Sequence, residues 1–485
     1  MPVKDLQPTA LWKNFADLNA VPRPSKQEER VIQFMMDFGN RLGLPTIQDK
    51  IGNVIIKKAA TAGMEDRQTI VMQSHLDMVH QKNADTDFDF QTEGIRMRVQ
   101  DDWVDADGTT LGADNGIGVA TIMALLESTD IAHPAIEALF TIDEETGMTG
   151  ALQLEEGLLD GTILLNLDTE DDDELTIGCA GGVDITATAT YAEVDAPQDT
   201  SFVVISITGL SGGHSGMDIH KGLGNANKLM NRLLVQLEAR HNIHVSKVEG
   251  GSLRNAIPRE SFALVGIAAA HISDLLATVA EHEVIIKREY ATTDPSLDIN
   301  VKRVDSPAKV WNGDWQRNIL RSIYACPSGI YRMSPDIDGL VQTSNNLARV
   351  HIEGGKAEVL CLCRSSVDTE KADMALAIGS AFELAGCEVD MSGSYPGWTP
   401  APSSDIVQVM RDLYREMFDG EPHVNACHAG LECGIIGDHY PHLDMISFGP
   451  NIRGAHSPDE RVQISSVQKY WSYLLETLKR IPKRA

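Results

Sequence analysis

Ala138-Leu139-Phe140-Thr141-Ile142-Asp143-Glu144-Glu145-Thr146-Gly147 is an apolar run that ends in paired carboxylates and a glycine. The stretch from Ile136 to Ile142 predicts a strand, so the two glutamates stand where that strand ends. A second run, Thr69-Ile70-Val71-Met72-Gln73, leads into His75-Leu76-Asp77. A third, from Thr162 to Leu167, leads into Asp168. Between the second run and the first lies Gly112-Ala113-Asp114-Asn115-Gly116, and a helix is predicted directly after it, from Ile117 to Glu127. Imidazoles and carboxylates thus recur at strand ends. In open α/β sheets, ligands bind at the carboxyl ends of strands.

Working outward, residues 8–43 have helical spacing, with Leu11, Phe15 and Leu18, then Val31, Phe34, Met35 and Leu42. Asn53 to Lys57 reads as a strand. The alternation of helices and strands predicts a layered α/β domain. From about Asp184 the texture changes. Strands are expected at Thr200–Thr208 and Glu260–Ala268, and helices at Asn225–Leu237 and Ile272–Tyr290. A hairpin is expected across Gly354-Gly355, followed by a helix from Thr369 to Leu384 and a strand from Cys387 to Ser392. This reads as a second α/β segment of two β-α-β-type halves in tandem. The Pro- and Gly-rich stretch from Tyr395 to Pro402 marks a junction. If His456 joins His75, the first and last segments form one domain. The expected organisation is one domain from residues 1–181 and 397–485, with a second α/β domain, 182–396, inserted into it.

The 485 residues are 42% hydrophobic and 23% charged, an ordinary globular composition too long for one small core. Seventy acidic residues against 41 basic ones give a formal net charge of −29. That balance disfavours nucleic acid and anionic membranes as partners. No apolar run approaches a membrane span, and the start lacks a basic-then-apolar signal region. The seven cysteines include no C-x-x-C pair, which predicts reduced thiols in a cytoplasmic protein.

The motifs fall in a characteristic order: HLDMV from His75, GADNGIG from Gly112, DEETG from Asp143, NLD from Asn166 and GAHSPDE from Gly454. GCAGGVD from Gly178, GLSGGHSG from Gly209, LRNAIPRE from Leu253, YPGW from Tyr395 and HAGLECG from His428 accompany them. This order resembles the co-catalytic dizinc exopeptidases of the aminoacylase and glutamate-carboxypeptidase type. More closely, it resembles their bacterial Xaa-His dipeptidase branch, the aminoacyl-histidine or cytosol non-specific dipeptidases. One departure is His80, where the branch carries proline after HLDMV.

The resemblance implies an α/β catalytic domain with a mixed sheet, residues 1–181 and 397–485, and an inserted α/β lid domain, 182–396. It implies a metal-dependent dipeptidase acting on unblocked dipeptides, Xaa-His dipeptides such as carnosine included. It implies two divalent ions per chain, zinc with manganese or cobalt as substitutes. His75 and Asp168 would hold one ion, Glu145 and His456 the other, and Asp114 both, with a water or hydroxide between the ions. Such a donor set suits borderline divalent cations. Asp77 would orient His75, and Glu144 would be the general base. His214 would stabilise the oxyanion. Asn255, Arg364 and Gly430 would contact the substrate, Arg364 through a planar fork that matches a carboxylate. A homodimer is compatible with the resemblance.

Each residue taken singly also has an ordinary account: a buried histidine, a turn aspartate, carboxylates at a helix N-terminus, a loop histidine, a strand-end ion pair for Arg364. Two other readings of the whole pattern stay open: an N-acyl amino acid deacylase on the same metals, and a non-catalytic metal-binding scaffold.

Overall fold

The computed structural model describes residues 2–484. The chain forms two compact units. Met1–Gly178, Trp398–Ala426 and Leu431–Ala485 make the first, and Cys179–Gly397 with Cys427–Gly430 makes the second. The second is therefore an insertion, to which a short return of the chain at 427–430 also belongs.

The first unit is built on an eight-stranded mixed sheet. Its centre is parallel: Ile136–Thr141 lies beside Ile70–His75, then Ile163–Asn166, then Asp444–Ser447. Val54–Lys58 pairs antiparallel with the outer side of this group. Every residue of Ile136–Thr141, Ile70–His75 and Ile163–Asn166 is buried. Parallel strands covered on both faces lose the in–out alternation of an exposed sheet, which is why these segments read as unbroken apolar runs. Helix Ala113–Glu127 is buried almost all round, with Asp114 and Asn115 in non-helical conformations and a cis peptide between them. Gly118 lets this helix approach the strand ends: a Cβ there would lie 2.4 Å from Ser74 Oγ and 2.8 Å from the Leu167 carbonyl.

The helical spacing over 8–43 proves to be two helices, Thr9–Asn19 and Glu29–Arg41. Pro22 and Pro24 break it, since proline removes a backbone donor and pushes its predecessor out of the helical region. A small four-stranded antiparallel sheet joins Met97–Gln100 and Trp103–Ala106 to Arg461–Gln463 and Ile452–Arg453.

The second unit carries a nine-stranded sheet in which each recorded pairing is antiparallel. Its order resolves into two copies of the split β-α-β-β-α-β arrangement. One copy comprises Thr200–Thr208, helix Ala226–Arg240, His244–Gly250, Ser261–Ala268, helix Ile272–Glu289 and Asp298–Val304. The other comprises Gly181–Thr190, helix Gly313–Ala325, Val341–Glu353, Lys356–Ser365, helix Asp368–Glu383 and Glu388–Tyr395. The copies are nested, not tandem as expected. The first interrupts the second after its opening strand, and His244–Gly250 pairs with Val341–Glu353 to make one sheet. Leu233, Leu237, Val265, Leu275, Ile319, Val359 and Ile378 belong to the core between this sheet and its helices. Among the described residues, no helix is long and apolar enough to cross a membrane.

Candidate metal centre and substrate-binding residues

Three neighbouring parallel strands deliver side chains at their carboxyl ends. Ile70–His75 ends on His75, Ile136–Thr141 runs through Asp143 into Glu144 and Glu145, and Ile163–Asn166 runs into Asp168. Asp114 comes from the first turn of the central helix, and His456 from the loop between Ile452–Arg453 and Arg461–Gln463.

The two imidazoles meet on one carboxylate. His75 Nε2 lies 3.1 Å from Asp114 Oδ1, and His456 Nε2 lies 3.2 Å from Asp114 Oδ2. Asp168 Oδ1 is 3.6 Å from His75 Nε2, and Glu145 Oε2 is 2.9 Å from His456 Nε2. Two donor groups result, each of one imidazole and one carboxylate, sharing Asp114. Ligand atoms of His75, Asp114 and Glu145 lie within 4.8 Å of one another. Glu145 Oε1 is buried with no hydrogen-bond partner among the described residues, an acceptor that a cation would satisfy. A carboxylate can span two ions about 3.5–4 Å apart. The donor set therefore fits a pair of divalent ions held by imidazole and carboxylate.

Electrostatics favour cations here. Burial would raise Asp114, but hydrogen bonds from His456 and His75 hold it below the ordinary carboxylate range. Burial dominates at Glu144, which sits well above that range, and raises Asp168 to about 6. The His456 imidazole is held well above its usual value by Asp114 and Glu145. His456 and Asp143 both adopt left-handed backbone, at φ +64° and +55°. Such conformations cost on the order of 1–3 kcal/mol and persist where surrounding contacts impose them. Asp143 is held by Lys26, Thr146 and Thr149.

Asp77 is fully buried and lies behind His75, with Oδ1 3.4 Å from Nδ1. It also fixes the glutamate pair, because Oδ1 accepts the Glu144 N–H at 3.0 Å and Oδ2 the Glu145 N–H at 3.2 Å. The Ser25 hydroxyl donates to Oδ2 at 2.8 Å. His80, by contrast, is exposed and packs edge-on to Phe90 at 5.9 Å. The acidic run after Asp168 is engaged in surface pairing, Asp172 with Lys469 at 2.7 Å and Asp171 with Arg453.

In the second unit, His214 and Asn255 lie in adjoining loops: the Ser215 N–H donates to the Asn255 carbonyl at 2.8 Å, and residues 214 and 256 form an isolated bridge. His214 Nδ1 accepts the N–H groups of Met217 at 3.0 Å and Gly216 at 3.2 Å. Two donors on Nδ1 assign the proton of the neutral ring to Nε2. Burial, and then the charge of Arg364, lower the His214 pKa and favour that neutral ring. Asn255 is exposed. Arg364 is only 5% exposed, which removes the surface ion-pair account. Gly430 lies in the 427–430 return of the second unit.

Residues 71–480 match the model of peptidase family M20/M25/M40. The chain belongs to this family. It is 39% identical over 482 residues to the cytosol non-specific dipeptidase of Escherichia coli (strain K12), covering 99% of both chains. Its fold matches the crystal structure of aminoacylhistidine dipeptidase from Vibrio alginolyticus with a TM-score of 0.95 at 42% identity, covering 100% of this chain and 99% of that one. The aminopeptidase PepT of Bacillus cereus, 15% identical with a TM-score of 0.56 and 98% of this chain covered, shares the fold.

Around the M20/M25/M40 motifs stand three buried residues that sequence reading missed. Glu460 accepts four backbone N–H groups, those of Leu111 and Gly112 on Oε2 and of Ala113 and Asp114 on Oε1, at 2.7–3.2 Å. Arg23 donates to the carbonyls of Leu76, Asp77 and Gly112. Glu432 lies among the strands, accepting from Gln73 at 2.6 Å and Thr141 at 2.7 Å. The only available signals were the charge in the SPDE and GLECG motifs and the proline-flanked Arg23.

Proposed function

We propose that this M20/M25/M40 peptidase cleaves unblocked dipeptides, Xaa-His dipeptides such as carnosine among them, at a pair of divalent ions, with Glu144 as general base. The observation that most supports this is Asp114, whose two oxygens each face a different imidazole. His75 and Asp168 would hold one ion and His456 and Glu145 the other. Zinc suits two imidazoles and three carboxylates, and manganese or cobalt would substitute. When bound, such a pair acidifies a water and polarises the scissile carbonyl.

The chain supplies the rest. Glu144 takes a proton from the attacking water and passes it to the leaving amine. Burial raises its carboxyl above the ordinary carboxylate range, which makes it a stronger base for that proton. Asp77 orients the His75 ring and holds both glutamate amides, which fixes base and ligand relative to one another. His214 offers its Nε2 proton to the developing oxyanion. Arg364, with Asn255 and the backbone at Gly430, binds the substrate's free carboxylate.

Catalytic efficiency on a dipeptide, on its C-terminal amide and on an N-acetyl amino acid tests the reading. Loss of the charge-assisted carboxylate contact costs about 1.5–3 kcal/mol, roughly one to two orders of magnitude in kcat/KM. The dipeptide is expected to exceed its amide by that factor, and the N-acetyl amino acid to resist cleavage. Equal hydrolysis of dipeptide and amide would refute the carboxylate clamp, and preference for the N-acetyl substrate would make the enzyme a deacylase.

A further inference from the structure

Arg364 is a buried cation that its neighbours leave un-neutralised. Asp184, an acid within its electrostatic reach, is taken by Arg254, whose Nε lies 3.1 Å from Asp184 Oδ2. Arg254 is itself tied to the carbonyls of Ile185 and Cys361 and to the Thr186 hydroxyl, so this pair is fixed. Among the described residues Arg364 makes no ion pair, and its buried Nε has no acceptor. Its one recorded hydrogen bond is from Nη1 to the hydroxyl of Tyr395, at 2.9 Å. His214 and His428, which also lie in its field, have lowered pKa values and add no negative charge.

The backbone is arranged for that one contact. Arg364 and Tyr395 sit on the two strands that flank Gly181–Thr190, and both pair with the same residue, Gly182. The tyrosine ring crosses over Gly182 to reach the guanidinium. A Cβ at Gly182 would lie 2.7 Å from Cε1, Cζ and the hydroxyl oxygen of the ring. The register shift between Ser392 and Tyr395, at Gly393 with φ +58°, precedes the ring. The main chain at Tyr395 is anchored without the hydroxyl, because its carbonyl accepts from Lys371, which also bonds Asp368 at 2.7 Å.

We propose that Tyr395 is a positioning residue for carboxylate recognition, aligning the Arg364 guanidinium through Nη1 so that its unpaired N–H groups receive the terminal carboxylate of the substrate. A guanidinium is useful for this only when its plane is fixed, because the paired geometry of fork and carboxylate is directional. Tyrosine suits the task because its hydroxyl accepts one N–H without cancelling the positive charge, as an acid would. The proposal rests on the reading of Arg364 as the carboxylate-binding group.

The test compares kcat and KM for one dipeptide and its C-terminal amide in wild type, Tyr395→Phe and Arg364→Ala. Tyr395→Phe is expected to raise KM for the dipeptide roughly three- to tenfold, the worth of one hydrogen bond, with a much smaller change in kcat. The ratio of dipeptide to amide efficiency should fall by the same factor. A structural defect would lower both substrates together and leave that ratio intact. Gly182→Ala, which displaces the ring but keeps the hydroxyl, should reproduce the fall in the ratio and stands in if the phenylalanine variant misfolds. A ratio unchanged in the tyrosine variant, while Arg364→Ala lowers it, overturns the role of Tyr395. A ratio unchanged in Arg364→Ala overturns the carboxylate clamp itself.

Discussion

Glu144 and Glu145 are sequence neighbours in unlike surroundings. Glu145 turns a buried carboxylate, 3% exposed, toward His456, while Glu144 makes no ion pair with either imidazole. Glu144→Ala is therefore predicted to keep about two bound ions and lose roughly two to four orders of magnitude in turnover. Glu145→Ala is predicted to lose one ion. Metal content beside kcat checks both, and the opposite pattern would reverse the two roles. Glu432 gives a separate prediction. Burial raises its carboxyl from 4.5 to about 8. In the metal-free folded chain it keeps its proton between those values, where the unfolded chain has lost it, so stability falls as pH rises across that window. Glu432→Gln removes the effect. Its melting temperature relative to wild type should rise on going from pH 5 to pH 8, and a constant difference would contradict the assignment. The strand-end residues announced themselves through the apolar runs before them. Glu460 and Arg23 bond backbone groups, and Glu432 bonds the side chains of Gln73 and Thr141, all across long separations that local sequence does not record.

At the scale of elements, the turn that carries Asp114 depends on a distant loop. Four N–H groups at the start of helix Ala113–Glu127 share the Glu460 carboxylate. Glu460→Ala leaves them without that acceptor, at a cost of at least about 1–3 kcal/mol. On the proposed assignment Asp114 serves both ions, so affinity at both metal positions should fall together, which calorimetric titration would show. Weakening at one position alone would contradict this coupling. The elements themselves were unevenly legible. Buried parallel strands are continuous apolar runs, and they lie where those runs predict. The proline-broken segment between Asn19 and Glu29 kept helical spacing on either side, which disguised two helices as one. Nesting in the second unit was invisible, because Gly181–Thr190 pairs with Lys356–Ser365 across an entire inserted copy. Local periodicity carries no record of such pairing.

At the scale of the whole molecule, family membership and two donor groups sharing Asp114 converge on one account: a peptidase that needs two ions to work. The acidic chain, at −29, favours accumulation of cations and gives no other guide to substrate. The most direct test is to strip the protein with chelator and follow hydrolysis of a free dipeptide as a divalent ion is added back. The account predicts no turnover in the stripped protein and a rise that levels off at about two ions per chain. Undiminished hydrolysis by the stripped protein, or a plateau at one ion with no gain from a second, would contradict it.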